Sequence, residues 1–314
     1  MRKAIWKLER YGLAILGVVA LLHAASFSSH ASSAGQQDTF AKPGEAVKAV
    51  IVACQKNDIP ALLKIFGPDG KDIVESGDPS DDIDRRAAFV KLTGEKYKLV
   101  PNPMNPDMMI LSVGKDDYPF PIPLVRKADR WFFDSAAGRD EILARRIGSN
   151  EMSAIEVCRG YVEAQFEYAQ THMKNGVPIY AEKIVSSPGK EDGLYWEPSK
   201  GAPECQVPKG FALAAAGMSL DKREPYHGYY FRILTAQGPD AKGGAVNYVV
   251  NGSMIGGFAL VAWPAEYGVS GVLTFLVNHD GVVYENHLGP ETGRIAAEMT
   301  EFNPDASWHP VKSD

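Results

Sequence analysis

The sequence predicts an α+β fold in two domains, and three observations carry that expectation. Amphipathic helix patterns open both halves of the chain, at residues 43–66 and 150–172. Two later runs, residues 257–263 and 272–277, are apolar on both faces, so each reads as a strand covered on both sides. The connections after these runs, Pro264 to Gly268 and Asn278 to Gly281, suit turns that fold the region into an antiparallel meander.

The chain begins with a targeting pattern. Arg2, Lys3, Lys7 and Arg10 form a basic start, residues 11–22 are a short apolar run, and residues 23–34 are small and polar. Ser29-His30-Ala31 and Ser32-Ser33-Ala34 are both plausible cleavage sites. Residues 1–34 are therefore expected to be a signal peptide, which places the mature chain in the periplasm or outside the cell. The alternative is an anchor left by an uncleaved N-terminal segment. That apolar run is about 12 residues long, against the roughly 20 needed to span a bilayer. No later segment is long and apolar enough, so no membrane span is expected after cleavage. The chain carries a net charge of −6, and losing residues 1–31 takes away a further +3, leaving −9. Such a chain lacks the basic cluster that nucleic-acid binding requires.

Residues 35–142 are expected to form an N-terminal α+β domain. A helix over residues 43–55 buries Ala46, Val47, Val50, Ile51 and Cys54. A second helix over residues 58–66 can be capped by Asp58. The acidic stretch of residues 78–84 reads as the solvated start of a helix over 83–92, because it lacks the glycine and the closing glutamate of a calcium loop. Residues 99–107 read as a polar, proline-rich connection before a strand at 108–113. Pro119, Pro121 and Pro123 alternate with Phe120, Ile122 and Leu124. On one strand this would strip every donor from one side and protect a sheet edge. A docked polyproline segment is the alternative. Residues 130–134, with Trp131 and Phe133, form the next strand.

Residues 143–314 are expected to form a C-terminal α+β domain, with the boundary in the charged stretch 138–147. The longest helix, over residues 150–172, is expected to start at an Asn150 cap with Glu151 in its first turn. Its inner stripe holds Ile155, Cys158, Val162, Gln165 and Ala169. Further helices are expected over 211–218 and 291–302, and strands over 229–235, 246–250 and 282–285. Helix 150–172 can cover only one face of the doubly apolar strands, and the other two helices are short. The N-terminal domain is therefore expected to contribute to the second face.

Three cysteines, Cys54, Cys158 and Cys205, leave at least one thiol unpaired. Their spacings match no zinc or CxxC pattern, and none of the seven histidines forms a helical ligand pair, so neither metal nor cofactor is expected. The nucleophile elbow and the Walker loop are both missing from the sequence. His227, in Glu224-Pro225-Tyr226-His227-Gly228-Tyr229, is the best catalytic candidate. With Asp192 or Glu266 it could act as a general base. The competing reading is a His–Tyr cluster at a strand end with no chemistry. Tyr195, Trp196, Tyr226, Tyr229 and Tyr230 are the candidate aromatic contact surface.

Several runs together resemble one family: PFPIPLV and WFFD, RRIGSNEMSAI, DGLYW, PYHGYYFRILTAQGP, GGFALVAWPAEYGVSGVLTF and DGVVYENHLG. On these the chain is similar, nearly end to end after its leader, to the bacterial envelope family called domain of unknown function 2950. That resemblance implies no activity. Residues 148–286 also resemble the globular heads of type IV pilin-like proteins, which lay a helix across an antiparallel sheet. The charged 138–148 stretch departs from the apolar stem of such proteins, so only the fold is implied. Residues 35–135 are similar to cystatin-like domains, again at the level of fold. The function expected is a non-catalytic binding or structural module of the envelope, with an envelope protein or a cell-wall polymer as partner. The alternative is an envelope hydrolase using His227 and a carboxylate.

Overall fold

The computed structural model describes residues 37–75, 79–196, 207, 211–212 and 225–312. The expected signal peptide, Cys205, and most of the helix expected at 211–218 lie outside these residues. The chain is α+β and packs as two compact units that divide at residues 144 and 145.

In the first unit, helix α1 (Pro43–Lys56) starts with proline at its first turn and stops at Asn57, which takes the left-handed conformation at φ 52°. Helix α2 (Ile59–Phe66) is capped as its sequence predicts: the Ala61 N–H donates to Asp58 Oδ1 at 3.0 Å. A short helix α3 (Lys71–Val74) and the longer α4 (Pro79–Glu95) follow. An antiparallel sheet then runs in the order β1 (Tyr97–Asn102), β2 (Asn105–Val113), β4 (Leu124–Lys127), β5 (Arg130–Phe133), with β3 (Tyr118–Pro119) also on β2. Ala46, Val47, Val50, Leu62 and Ile65 from the helices meet Leu111, Leu124 and Phe133 from the sheet.

The strand β1 corrects the reading of residues 99–107 as a connection. Pro101 is tolerated because β1 lies at the sheet edge, where a missing donor costs no ladder bond. The 119–125 run is corrected as well. It is no continuous edge strand: the Phe120 N–H still donates to Leu111 O at 2.7 Å, residues 121–123 leave the ladder, and β4 sits between β2 and β5. Phe120 packs tilted against Phe89 and edge-on to Phe133, and Ile122 is buried. The prolines thus shape an inward bulge that drives two apolar side chains into the core.

Helix α5 (Ser135–Thr171) is 37 residues long and contains the charged 138–147 stretch. It opens at Asp134, whose carboxylate accepts the Ala137 N–H at 3.1 Å. Asn150 is therefore not a cap but a mid-helix residue. Gly138, in the first turns, lies against Ile122, so a Cβ there would sit 2.7 Å from the isoleucine side chain.

In the second unit, α5 is followed by a small hairpin, β6 (Met173–Lys174) and β7 (Val177–Pro178). The main sheet is fully antiparallel. Its strand order is β17 (His309–Pro310), β15 (Val283–Asn286), β14 (Thr274–Asn278), β13 (Ala259–Pro264), β8 (Tyr229–Leu234). The expected meander is present. Gly281 supplies the positive φ of the β14–β15 turn at 76°, and its N–H donates to Asn278 O. Every residue of β13 and β14 is buried.

Cross-strand partners share a face, so the register separates the two layers. Tyr229, Phe231, Ala262, Phe275 and Val283 face α5, where Tyr161 donates to Ala259 O at 3.3 Å. Tyr230, Arg232, Trp263, Leu276 and Tyr284 face the other way. There they meet helix α6 (Thr292–Glu298) and β16 (Glu301–Phe302), with Tyr284 against Phe302 at 5.9 Å. β16 pairs in parallel with β9 (Ala236–Gln237), which also holds β10 (Val246–Asn247). A further hairpin joins β11 (Val249–Val250) and β12 (Ser253–Met254). The second unit thus supplies both covers of its own sheet, which corrects the expectation that the N-terminal half is needed. The expected 291–302 helix ends early because Arg232 takes the carbonyls of Ala296, Ala297 and Met299.

Two outcomes are expected. Gly138→Ala, although alanine is the better helix former, should destabilise the first unit by about 1–3 kcal/mol through overpacking, and Ile122→Val should relieve part of that loss in urea unfolding. Residues 145–314 expressed alone should melt cooperatively without binding a hydrophobic dye. Dye binding or aggregation would show that this core does not close by itself.

Candidate functional site

The residues expected to carry chemistry lie in separate structural roles. His227 and Gly228 occupy the two central positions of a tight turn, at φ 49° and 74°. Tyr226 and Tyr229 close it by exchanging backbone hydrogen bonds of 3.0 and 3.1 Å. This is the backbone of a type I′ turn. Three other pairs of positive-φ residues link paired strand ends here: Ala128-Asp129, Asn175-Gly176 and Asn251-Gly252. His227 stands where asparagine stands in the last two. Its ring lies against Tyr226, with centroids 4.2 Å apart.

Asp192 accepts from the Ser187 N–H at 2.7 Å, the Ser187 hydroxyl at 2.9 Å and Lys183 Nζ at 3.0 Å. These contacts, the Ser187 N–H foremost, hold its pKa down to about 2. It is an ionised loop clamp, with nothing of the character of a base poised near neutrality. Glu266 is exposed, in the turn that follows β13, where its own N–H and carbonyl bond Ser270.

The five aromatics do not form an exposed surface. Tyr195, Trp196 and Tyr229 are buried, and Tyr226 and Tyr230 are half-buried. Tyr229 is fully enclosed under α5 and donates to Leu273 O at 2.9 Å. Burial pushes its phenol well above the ordinary range, aided by the Glu151 carboxylate. Cys54 and Cys158 are free thiols pushed up to about 11 and about 12 by burial, which makes them packing groups rather than nucleophiles. Among the described residues, no group of three His, Cys, Asp or Glu side chains could hold a metal ion.

One carboxylate is shifted upward rather than downward: Glu151, read from sequence as a first-turn helix residue. Its Oε1 accepts the N–H groups of Val272 and Leu273 at 2.9 and 3.1 Å. The neighbouring Asn150 donates from Nδ2 to Ser270 O at 2.9 Å. Together they grip the chain just before β14. That grip explains why β14 begins at Thr274 and not at Val272, since those two donors turn to the helix. Desolvation raises the Glu151 pKa, the two N–H bonds oppose that, Glu285 adds to it and His287 offsets it. His287 Nε2 in turn lies 2.7 Å from the Tyr267 hydroxyl. No pattern in the sequence marked this cluster, because its members come from α5, β15 and two loops.

Beside it, between α5 and the outer strands, lies an open groove of about 460 Å³. Met152, Ile155, Val282, Val283 and Val311 form its apolar floor, with Glu156, Arg159 and Lys312 among them.

The sequence profile of the family described as "Protein of unknown function (DUF2950)" matches residues 37–311. The chain belongs to this family. No curated protein and no solved structure matches it.

A raised carboxylate pKa adds stability that is complete below the ordinary carboxylate range and is lost as pH rises through the folded pKa. Glu151→Gln keeps the acceptor and removes the titration. The variant should therefore unfold at higher urea concentration than the parent near neutral pH, and the two should converge at about pH 4. A variant less stable than the parent near neutral pH would show that the charge itself holds the loop.

Proposed function

We propose that the chain is an exported envelope protein acting as a non-catalytic binding or structural module. One observation carries the reading: the best catalytic candidate, His227, serves as the left-handed residue of a type I′ turn, with Asp192 committed to Ser187 and Lys183. Export is supported by the basic start and short apolar run of the leader. A partner in the envelope, whether a protein or a cell-wall polymer, follows from that address. The arrangement of α5 across an antiparallel sheet supports the pilin-head likeness as a reading of the fold. The first unit, with helices packed on an antiparallel sheet, supports the cystatin-like one in the same sense.

Asparagine favours the left-handed region and a β-branched residue does not. His227→Asn should leave stability and any binding to envelope material unchanged, whereas His227→Val should cost about 1–2 kcal/mol. Hydrolase activity in the parent chain that His227→Asn abolishes would overturn the non-catalytic reading. Mass spectrometry of the protein from its own cells should find an N-terminus between about residues 24 and 35. An intact Met1 in the membrane fraction would instead show a retained anchor.

A further inference from the structure

The groove between α5 and the outer strands has the composition of a ligand site. Its volume, about 460 Å³, falls within the roughly 300–1,000 Å³ typical of small-molecule sites. Its floor is apolar yet wet: Met152 and Val282 remain 37% and 41% exposed, so an occupant that covered them would remove apolar surface from water. Ile155 and Val283 continue that floor towards the core, and Val311 is fixed beside Val283 by its N–H bond to the Val283 carbonyl at 2.8 Å. The walls come from a long helix and from paired strands, so the groove exists before anything enters it.

Its charge runs against that of the whole chain. The protein carries −6, yet the groove lining holds two cations, Arg159 and Lys312, and one anion, Glu156. Neither cation is in an ion pair or a side-chain hydrogen bond among the described residues. A guanidinium and an ammonium beside an apolar floor select a ligand with one anionic end and one apolar body. Arg159 offers a planar fork to a carboxylate or a phosphate, and Lys312 adds a second positive charge. Glu156 disfavours a second anionic group further along the same ligand.

We infer that this groove binds an anionic amphiphile. A carboxylate or phosphate head is held by Arg159 and Lys312, and an apolar body lies over Met152, Ile155 and Val282. The inference rests on the binding reading above and gives it a ligand class.

The test titrates the intact mature chain with octyl phosphate, octanoate, octyltrimethylammonium and inorganic phosphate, all below micelle-forming concentrations. Binding is followed by isothermal calorimetry and by amide shifts of residues 152–159 and 281–283. Octyl phosphate and octanoate should saturate, more weakly as salt is raised. Inorganic phosphate should bind at least about tenfold more weakly, because it lacks the apolar body. Arg159→Glu with Lys312→Glu should weaken octyl phosphate by about tenfold or more, Met152→Asp should weaken it several-fold, and Glu156→Gln should tighten it. These positions are at the surface, so unchanged thermal melting is the control for folding. Equal binding of octyltrimethylammonium, indifference to the charge reversals, or no saturation by either anionic amphiphile would overturn the inference. Co-sedimentation of the parent chain with purified cell-wall material separates the two readings. Sedimentation without groove binding removes only the groove, and loss of both removes the binding reading as well.

Discussion

Strands β13 and β14 have no solvent face, and the second unit is built around that fact. A sheet apolar on both sides needs two covers. Helix α5 lays Ala154, Cys158 and Tyr161 on one side, and α6 with β16 brings Ala296 and Phe302 to the other. Each cover leaves backbone polar groups in a dry place, and buried polar groups must find partners. Arg232 meets this need on one side by taking three carbonyls at the end of α6. Gln165 meets it on the other side. Its amide exchanges two 2.8 Å bonds with the backbone of Ala181, which fixes the chain segment beyond the helix.

The same constraint explains the Asn150–Glu151 grip. The approach to β14 passes over the end of the sheet at the α5 face, where its backbone donors have no strand partner. Glu151 satisfies two of them, at the cost of a half-buried carboxylate whose pKa is raised by desolvation. Residues that resemble a helix cap are thus tertiary anchors, and the helix continues past them towards its N-terminus for four turns. Asn and Glu serve at caps because they bond backbone donors and acceptors. The property is the same here, directed at another part of the chain.

The groove beside α5 lies at the outer strands, where Val311 and Lys312 line it. A binding role for the chain therefore does not require the aromatic surface, most of which is core. Tyr195, Trp196 and Tyr229 supply large apolar area to the interior, and Tyr229 satisfies its hydroxyl on Leu273.

Local rules were enough to read α1, the Asp58 cap of α2, the WFFD strand and the β13–β14–β15 meander. In these, periodicity, capping and turn chemistry act over a few residues and agree with the tertiary structure. The α+β class was legible for the same reason, whereas the family was legible from the joint resemblance of several long runs. Three features needed the tertiary structure. Residues 99–107 looked too polar and proline-rich for a strand, and only the edge position of β1 makes Pro101 harmless. The 119–125 alternation looked like a strand, and only the pull of the core on Phe120 and Ile122 turns it inward. The aromatic and histidine runs at 195–196 and 226–230 looked functional, because residue type alone does not state burial. Burial, and with it the Glu151 cluster and the groove beside it, depends on segments more than a hundred residues apart meeting in space, which no local pattern encodes.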